Sequence, residues 1–310
     1  MLDTDQVQVA ARAIAEATLG RDPGQLVRLA SRSHHVFAGA AVVVKVIDAD
    51  DHARLDREVA LAAALPSGLS APVLSSGAFA TGAGEVRYAC VARLPGSSPG
   101  MGLAGVDRES ARHWAKQAVR QLQRLHDWAP ASVAATILRE PLDHGGFVGR
   151  ARLLDAIDRV RDVDDEQIVP RPVLDGLAAI AEGAPEHAGA SVAVHADCHW
   201  GNWLVHEQRV TALLDFEWAR FGEAVDDWVF LSRFSGPHRH AVLEVVADET
   251  GTSLESLRAA CEVREAAYLT SDLSLALQAR SARARVAAEE LVGDLRELAV
   301  SRSWWPPGGD

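Results

Sequence analysis

His195-Ala196-Asp197-Cys198-His199-Trp200-Gly201-Asn202, followed after an apolar run by Asp215-Phe216-Glu217, is the stretch on which the fold turns. Ser191 to His195 alternates small and β-branched residues, which suits a short strand feeding a loop. Trp203–Val205 and Val210–Leu214 read as two further short strands, joined by a polar turn at His206-Glu207-Gln208. A carboxylate, an amide five residues on and a second carboxylate beyond a hairpin then converge on one edge. Chemistry on phosphates asks for that set: one carboxylate to orient a hydroxyl and take its proton, and an Asn and an Asp to hold Mg²⁺ through hard oxygens. The plain alternative is a polar loop whose Asp and Asn only make turns.

The order His-x-Asp-x-x-x-x-Asn and then Asp-Phe-Glu resembles the catalytic and metal-binding loops of kinases, in the form found in aminoglycoside phosphotransferases and choline-kinase-like enzymes. Ala196 and Glu217 stand where protein kinases carry Arg and Gly, and both departures look like small-molecule kinases. Neither an Ala-Pro-Glu motif nor a long activation segment separates Asp215 from Asp227. The resemblance implies an α+β, bilobal protein-kinase-like fold, with a small N-terminal antiparallel sheet lobe and a larger, mainly helical C-terminal lobe. It makes Asp197 the catalytic base, Asn202 and Asp215 the Mg²⁺ ligands with Glu217 as an extra metal contact, and ATP or GTP the phosphate donor. His195 and Asp227 become structural supports of the loop, Asp226 being the rival for the second role.

Lysine occurs in this chain only at Lys45 and Lys116; Arg fills every other cationic position. A lone Lys in Val42-Val43-Val44-Lys45-Val46 is therefore no generic surface charge, and an ammonium buried there needs partners. The run from Asp51 to Leu65 reads as a helix with Leu55, Val59, Ala62 and Leu65 inward and Glu58 beside that face. A strand Lys paired with a helix Glu and aimed at the donor phosphates is the kinase arrangement. The turn at 31–35 is where a nucleotide-covering loop would sit; its resemblance to the family's Ser-Asn-x-Val-Tyr/Phe turn carries over Ser33, although His34 replaces the Asn and the usual glycines are missing. Strands over 73–79 and 87–94 complete a small sheet, which stops at the breaker cluster Pro95-Gly96-Ser97-Ser98-Pro99-Gly100. That cluster sets expected domains at 1–95 (nucleotide-binding) and 96–310 (catalytic and acceptor-binding). It also resembles the family's purine-binding hinge, placing Ala92 and Leu94 at the base.

Composition narrows the partners. The chain of 310 residues carries 43 acidic against 31 basic side chains, a formal charge of −12. Nucleic acid is disfavoured, since its binding calls for a basic surface. The field suits a cationic acceptor, and equally mere solubility. Three separated cysteines suggest neither a disulfide framework nor a zinc ribbon. Zinc at Cys198, His195, His199 and His206 fits no common spacing, and neither a P-loop nor a Gly-x-Ser-x-Gly elbow is present. With no signal-like start and no apolar run of membrane length, a cytoplasmic enzyme without a membrane partner is expected.

A leading helix is expected over 5–19, a second amphipathic helix over 107–128 with His126 packed in the core, loop over 130–150, and helices near 148–162, 172–183, 238–248, 254–280 and 281–300. Glu262, Glu265 and Asp272 lie at helical spacing and are the candidates to meet a cationic acceptor, the plainer alternative being a solvated charged face. The resulting expectation is transfer of the γ-phosphate to a hydroxyl of an aminoglycoside-like or other amino-containing antibiotic. The alternatives are an aminosugar or other metabolite kinase and, from another class, a non-catalytic nucleotide-binding module.

Overall fold

The computed structural model describes residues 4–31, 34–48, 53–82, 84–140, 142, 146–279 and 281–305. Ser33, expected over the donor phosphates, lies outside them. Helix α1 (Thr4–Leu19) precedes five strands, β1 (Val27–Leu29), β2 (His35–Ala38), β3 (Val42–Asp48), β4 (Val73–Thr81) and β5 (Gly84–Ala92), with α2 (Ala53–Ala62) between the third and fourth. They form one antiparallel sheet in the order β1-β2-β3-β5-β4.

The side-chain period of two explains how this sheet serves a site. Val42, Val44 and Val46 of β3 point to one face and are fully buried with Val7, Ala11, Ile14 and Ala15 of α1. Burying those apolar groups is what holds the leading helix on the sheet, at about 25 cal/mol per Å² removed from water. Val43 and Lys45 point to the other face, where Ile47 and Ala89 pack on Leu55 and Val59 of α2. The alternation therefore leaves Lys45 on the open side of the sheet, beside α2.

The rest of the chain is mainly helical: α3 (Arg108–His126), α4 (Ser132–Arg139), α5 (Arg150–Val163), α6 (Arg171–Glu182), α7 (Val225–Arg233), α8 (Arg239–Thr250), α9 (Leu254–Gln278) and α10 (Ala282–Ala299). Asp107 caps α3 by accepting from the Ser110 N–H, and Ser253 and Ser281 do the same for α9 and α10. One continuous apolar core runs through these helices and includes Trp200, Trp203 and Trp304 at full burial. The helices expected near 5–19, 107–128, 148–162, 172–183, 238–248, 254–280 and 281–300 are all present within a few residues. Helix α4 corrects the loop expected over 130–150: its Leu138 and Ala134 are buried although no side chain caps its start.

Two small ladders interrupt the helices. Strand β6 (Val192–Val194) pairs with β9 (Arg220–Gly222), and β7 (Trp203–His206) pairs with β8 (Arg209–Leu213). Glu207 and Gln208 both have positive φ, 48° and 64°, the twist that a two-residue hairpin favours. This hairpin returns the chain from Asn202 to Asp215, as the spacing of the two motifs requires. Segment 95–98 runs beside it, with Ser97 and Val205 exchanging main-chain hydrogen bonds of 3.0 and 2.9 Å. At Gly96 (φ 110°) a Cβ would stand 2.6 Å from the Val205 carbonyl oxygen, so only glycine fits this approach.

Candidate active site

A cleft of about 500 Å³ opens between the sheet and the β7–β8 hairpin, lined among others by Lys45, Glu58, Ala92, Leu94, Gly201 and Phe216. Every nucleotide-binding residue expected from sequence, apart from Ser33, is on its wall. Lys45 Nζ donates to both carboxylate oxygens of Glu58, at 2.8 and 2.7 Å, and to Asp215 Oδ1 at 3.0 Å. One cation thus ties the sheet, α2 and the loop after β8 together. Burial alone would push the Lys45 ammonium down, but the charges of Asp215 and Glu58 outweigh it and hold its pKa well above the ordinary lysine value. Burial also raises Glu58, which Lys45 only partly offsets. Asp215 is desolvated too, yet the Lys45 charge keeps it below the usual aspartate range.

The 195–202 loop is set from beneath by Asp227, which is fully buried at the start of α7. Its carboxylate accepts from the His195 N–H at 3.1 Å, the Ala196 N–H at 2.8 Å and His126 Nε2 at 2.9 Å. Burial would raise this acid, but the bond from His126 and the one from the Ala196 N–H hold it low. Ala196 can therefore keep φ at 63°, a backbone state that a non-glycine residue holds only when its surroundings fix it. His195 accepts from the Asp197 N–H at Nδ1 (3.2 Å), so Nε2 is the protonated nitrogen and donates to Leu214 O at 2.9 Å. Burial pushes its pKa down, consistent with that neutral tautomer. Asp226, the rival anchor, faces elsewhere and pairs with Arg220 at 3.0 Å and Arg264 at 3.3 Å.

Asp197 stands half-buried at the loop's turn. Asn202 Nδ2 donates to the Asp197 carbonyl at 2.8 Å and to Asp197 Oδ2 at 3.3 Å, which leaves Oδ1 as the atom Asn202 can give to a cation. The main chain of Asn202 accepts from the Leu214 N–H at 2.8 Å, bringing the amide beside Asp215. Asp215 itself has φ 70° and ψ 59°, a second left-handed residue at the site. Glu217 is 3% exposed, and its Oε2 is sealed from solvent with no hydrogen-bond donor among the described residues. Burial and the neighbouring Asp215 charge push Glu217 up to about 7, with Arg54 pulling the other way. A buried carboxylate oxygen without a donor is costly. Asn202, Asp215 and Glu217 together therefore fit a divalent cation, supplying hard oxygens from two loops.

Several contributors were not legible in sequence. His126 is a partner of Asp227 rather than only packed. Arg57, buried on α2, donates through Nε to Ala219 O at 3.0 Å and through Nη1 to Glu140 O at 2.9 Å, with Nη2 also on Ala219 O. Its position within a helical run carried no signal for a main-chain partner more than a hundred residues away. His34 also reaches the site, with Nε2 3.6 Å from Glu217 Oε2.

The acceptor candidates separate. Asp272 lines a second cavity, of about 510 Å³, between α5, α9 and Trp218. Glu262 and Glu265 do not face it, a correction of the expectation that they present carboxylates to an acceptor. Glu262 is 4% exposed and accepts from Arg302 at 2.7 and 2.8 Å. Glu265 takes Arg233 at 2.8 Å and the indole N–H of Trp304. Both acids are spent on holding the tail, which also settles Trp304 as core.

Among the described residues no helix is long and apolar enough to cross a membrane. No curated protein matches the chain. Solved structures do. A GDP complex of aminoglycoside 2'-phosphotransferase-IIIa superposes with a TM-score of 0.76 at 14% identity, over 94% of this chain and 99% of that one. The apoenzyme of macrolide 2'-phosphotransferase MphH from Brachybacterium faecium gives 0.64 at 20% identity, over 94% and 98%. An ADP-bound aminoglycoside phosphotransferase gives 0.59 at 16%, over 97% and 99%. These likenesses show the shared bilobal fold. The family model described as the phosphotransferase enzyme family matches residues 28–261, from β1 through the 195–202 and 215–217 motifs into α9, and to that family of phosphate-transferring enzymes this chain belongs.

Proposed function

We propose that this chain moves the γ-phosphate of ATP or GTP onto a hydroxyl of a small molecule, with Mg²⁺ or a similar divalent ion at the donor. The observation that carries this reading is the Lys45–Glu58–Asp215 linkage at a cleft lined on its far side by Gly201, Leu204, Leu214 and Phe216. Lys45 steadies the donor phosphates while Glu58 fixes its direction. Ala92 and Leu94 offer the base their main chain: the N–H groups of Ala92 and Arg93 are used by Pro72 O and Ala41 O, so the next donor along is that of Leu94. Asp197 aligns the acceptor hydroxyl and receives its proton late, because the transition state is loose. Asn202 Oδ1, Asp215 and Glu217 are the oxygens that would hold the ion, which when bound neutralises charge on the β- and γ-phosphates. Rate enhancement then comes from positioning and charge neutralisation rather than covalent chemistry.

The second cavity is the place for the acceptor, since it opens at Trp218, next to the metal motif. Among the described residues its charged wall side chains are Arg152 and Arg159, two turns apart on α5, against one acid, Asp272, on α9. Phe147 and Trp218 add flat apolar faces. Polycationic aminoglycosides would meet two guanidiniums there, so the wall favours a large hydroxylated acceptor of low positive charge. A macrolide-like antibiotic fits that description, in keeping with the macrolide activity named for one structural neighbour, and resistance by phosphorylation would follow. Nucleotide consumption should be measured against aminoglycosides, macrolides, nucleoside and peptide antibiotics, aminosugars and choline, with product mass read out. A weakly charged acceptor is expected to gain one phosphoryl group. Arg152→Glu with Arg159→Glu should raise kcat/KM for polycations about tenfold, through like-charge relief. Preferred turnover of a polycation, unchanged by those substitutions, would overturn the acceptor assignment. Tight Mg-nucleotide binding with transfer to no acceptor would favour the non-catalytic module.

A further inference from the structure

His34 stands in the turn before β2, where the family resemblance has an amide. Its ring meets the metal motif: one ligand atom each from His34, Asp215 and Glu217 lie within 4.8 Å of one another. His34 is 8% exposed and Glu217 3%. Two independent features mark this as more than an acidic cluster. Among the described residues, Glu217 Oε2 is buried with no hydrogen-bond donor, and Arg54 Nη1 sits 3.4 Å from the other oxygen, Oε1. Lys45 likewise takes only Oδ1 of Asp215. His34 Nε2 stands 3.6 Å from that Glu217 Oε2. Ligands on one coordination shell with metal distances of ~2.0–2.2 Å stand ~3–4.4 Å apart, so this spacing suits a shared ion.

We propose that His34 is a direct ligand of a divalent cation held with Asp215 and Glu217, and that its nitrogen biases the site from Mg²⁺ towards Mn²⁺ and Co²⁺. Carboxylates and an amide oxygen suit Mg²⁺, whereas an imidazole favours transition metals, with affinity rising from Mn²⁺ to Co²⁺ along the divalent series. His34 also stands just before Val36, which lines the donor cleft, so the bound ion would tie the start of β2 to the 215–217 motif. Use of the ion in catalysis rests on the phosphotransferase reading; its binding does not.

The test uses the full chain without nucleotide. Mn²⁺ is titrated by electron paramagnetic resonance, Mg²⁺ and Co²⁺ are added as competitors, and nitrogen coupling to bound Mn²⁺ is read by pulsed methods with natural and ¹⁵N-histidine protein. The expected result is one Mn²⁺ site with a histidine nitrogen coupling that changes on ¹⁵N labelling, displaced by Co²⁺ far more readily than by Mg²⁺. His34→Ala should erase the coupling and weaken Mn²⁺ by about tenfold or more, with thermal melting within a few degrees of the parent. If His34→Ala melts early, His34→Gln replaces it, and the labelled parent protein gives the coupling without any substitution. Bound Mn²⁺ without nitrogen coupling, or coupling that survives His34→Ala, would overturn the proposal. Coupling present in a protein that transfers no phosphate would leave the ligand assignment standing and sink only the catalytic reading.

Discussion

Asp197→Ala is expected to slow phosphate transfer by about 10²–10⁴-fold, the range for losing a positioned general base, with Mg-nucleotide affinity changed less than about threefold. The asymmetry follows from where the side chain sits. Asp197 is on the loop that ends at Asn202, whereas the donor cleft is walled by Lys45, Glu58, Ala92 and Leu94. Single-turnover transfer to the best acceptor, alongside equilibrium nucleotide binding, separates the two effects. Asp197→Asn sharpens the comparison because it keeps the shape and the approach of Asn202 Nδ2 to the Asp197 main-chain carbonyl while removing the proton acceptor. An equal fall in nucleotide binding and transfer would show that Asp197 acts on the donor site rather than the acceptor hydroxyl.

Asp227→Ala should cost about 3–5 kcal/mol of stability, the toll for breaking a buried charged network by removing one partner. Three donors converge on this carboxylate, the N–H groups of His195 and Ala196 and the His126 ring. The two N–H groups lose their partner out of reach of bulk water, since His195 and Ala196 are fully buried. The left-handed backbone of Ala196 would lose its tether at the same time, so the loop carrying Asp197 should loosen. Denaturant unfolding followed by tryptophan fluorescence reports this directly, because Trp200 and Trp203 lie in the core behind the loop. A loss under about 1 kcal/mol would mean that the network is not what holds the loop.

Much of the site could be read from the chain because its signals are local. Two carboxylates, an amide and a histidine come at fixed spacing on either side of a hairpin, and Lys45 stands out as one of two lysines in an Arg-rich protein. The helices were legible for the same reason: apolar residues at a period of 3.6 need no partner to be recognised. What escaped depends on distant pairing. The three residues of β9 form a strand only because β6 lies opposite. Helix α4 has no capping side chain to announce it. Glu262 and Glu265 were correctly put on a helix, but periodicity cannot say which face Trp304 and Arg302 will cover. Arg57 and His126 gained their roles from partners 162 and 101 residues away, and nothing near them in sequence encodes that.

The central claim is that Lys45, Asp215 and the Asp197–Asn202 loop together make one donor-phosphate site. Diffraction from the protein with Mn²⁺ and a non-hydrolysable nucleotide, with the metal placed by its anomalous signal, tests it most directly. The account predicts Mn²⁺ within ~2.3 Å of an Asp215 oxygen and the phosphate chain passing Lys45 Nζ on its way towards Asp197. A nucleotide bound outside the cleft, or a metal bound away from Asp215, would contradict it.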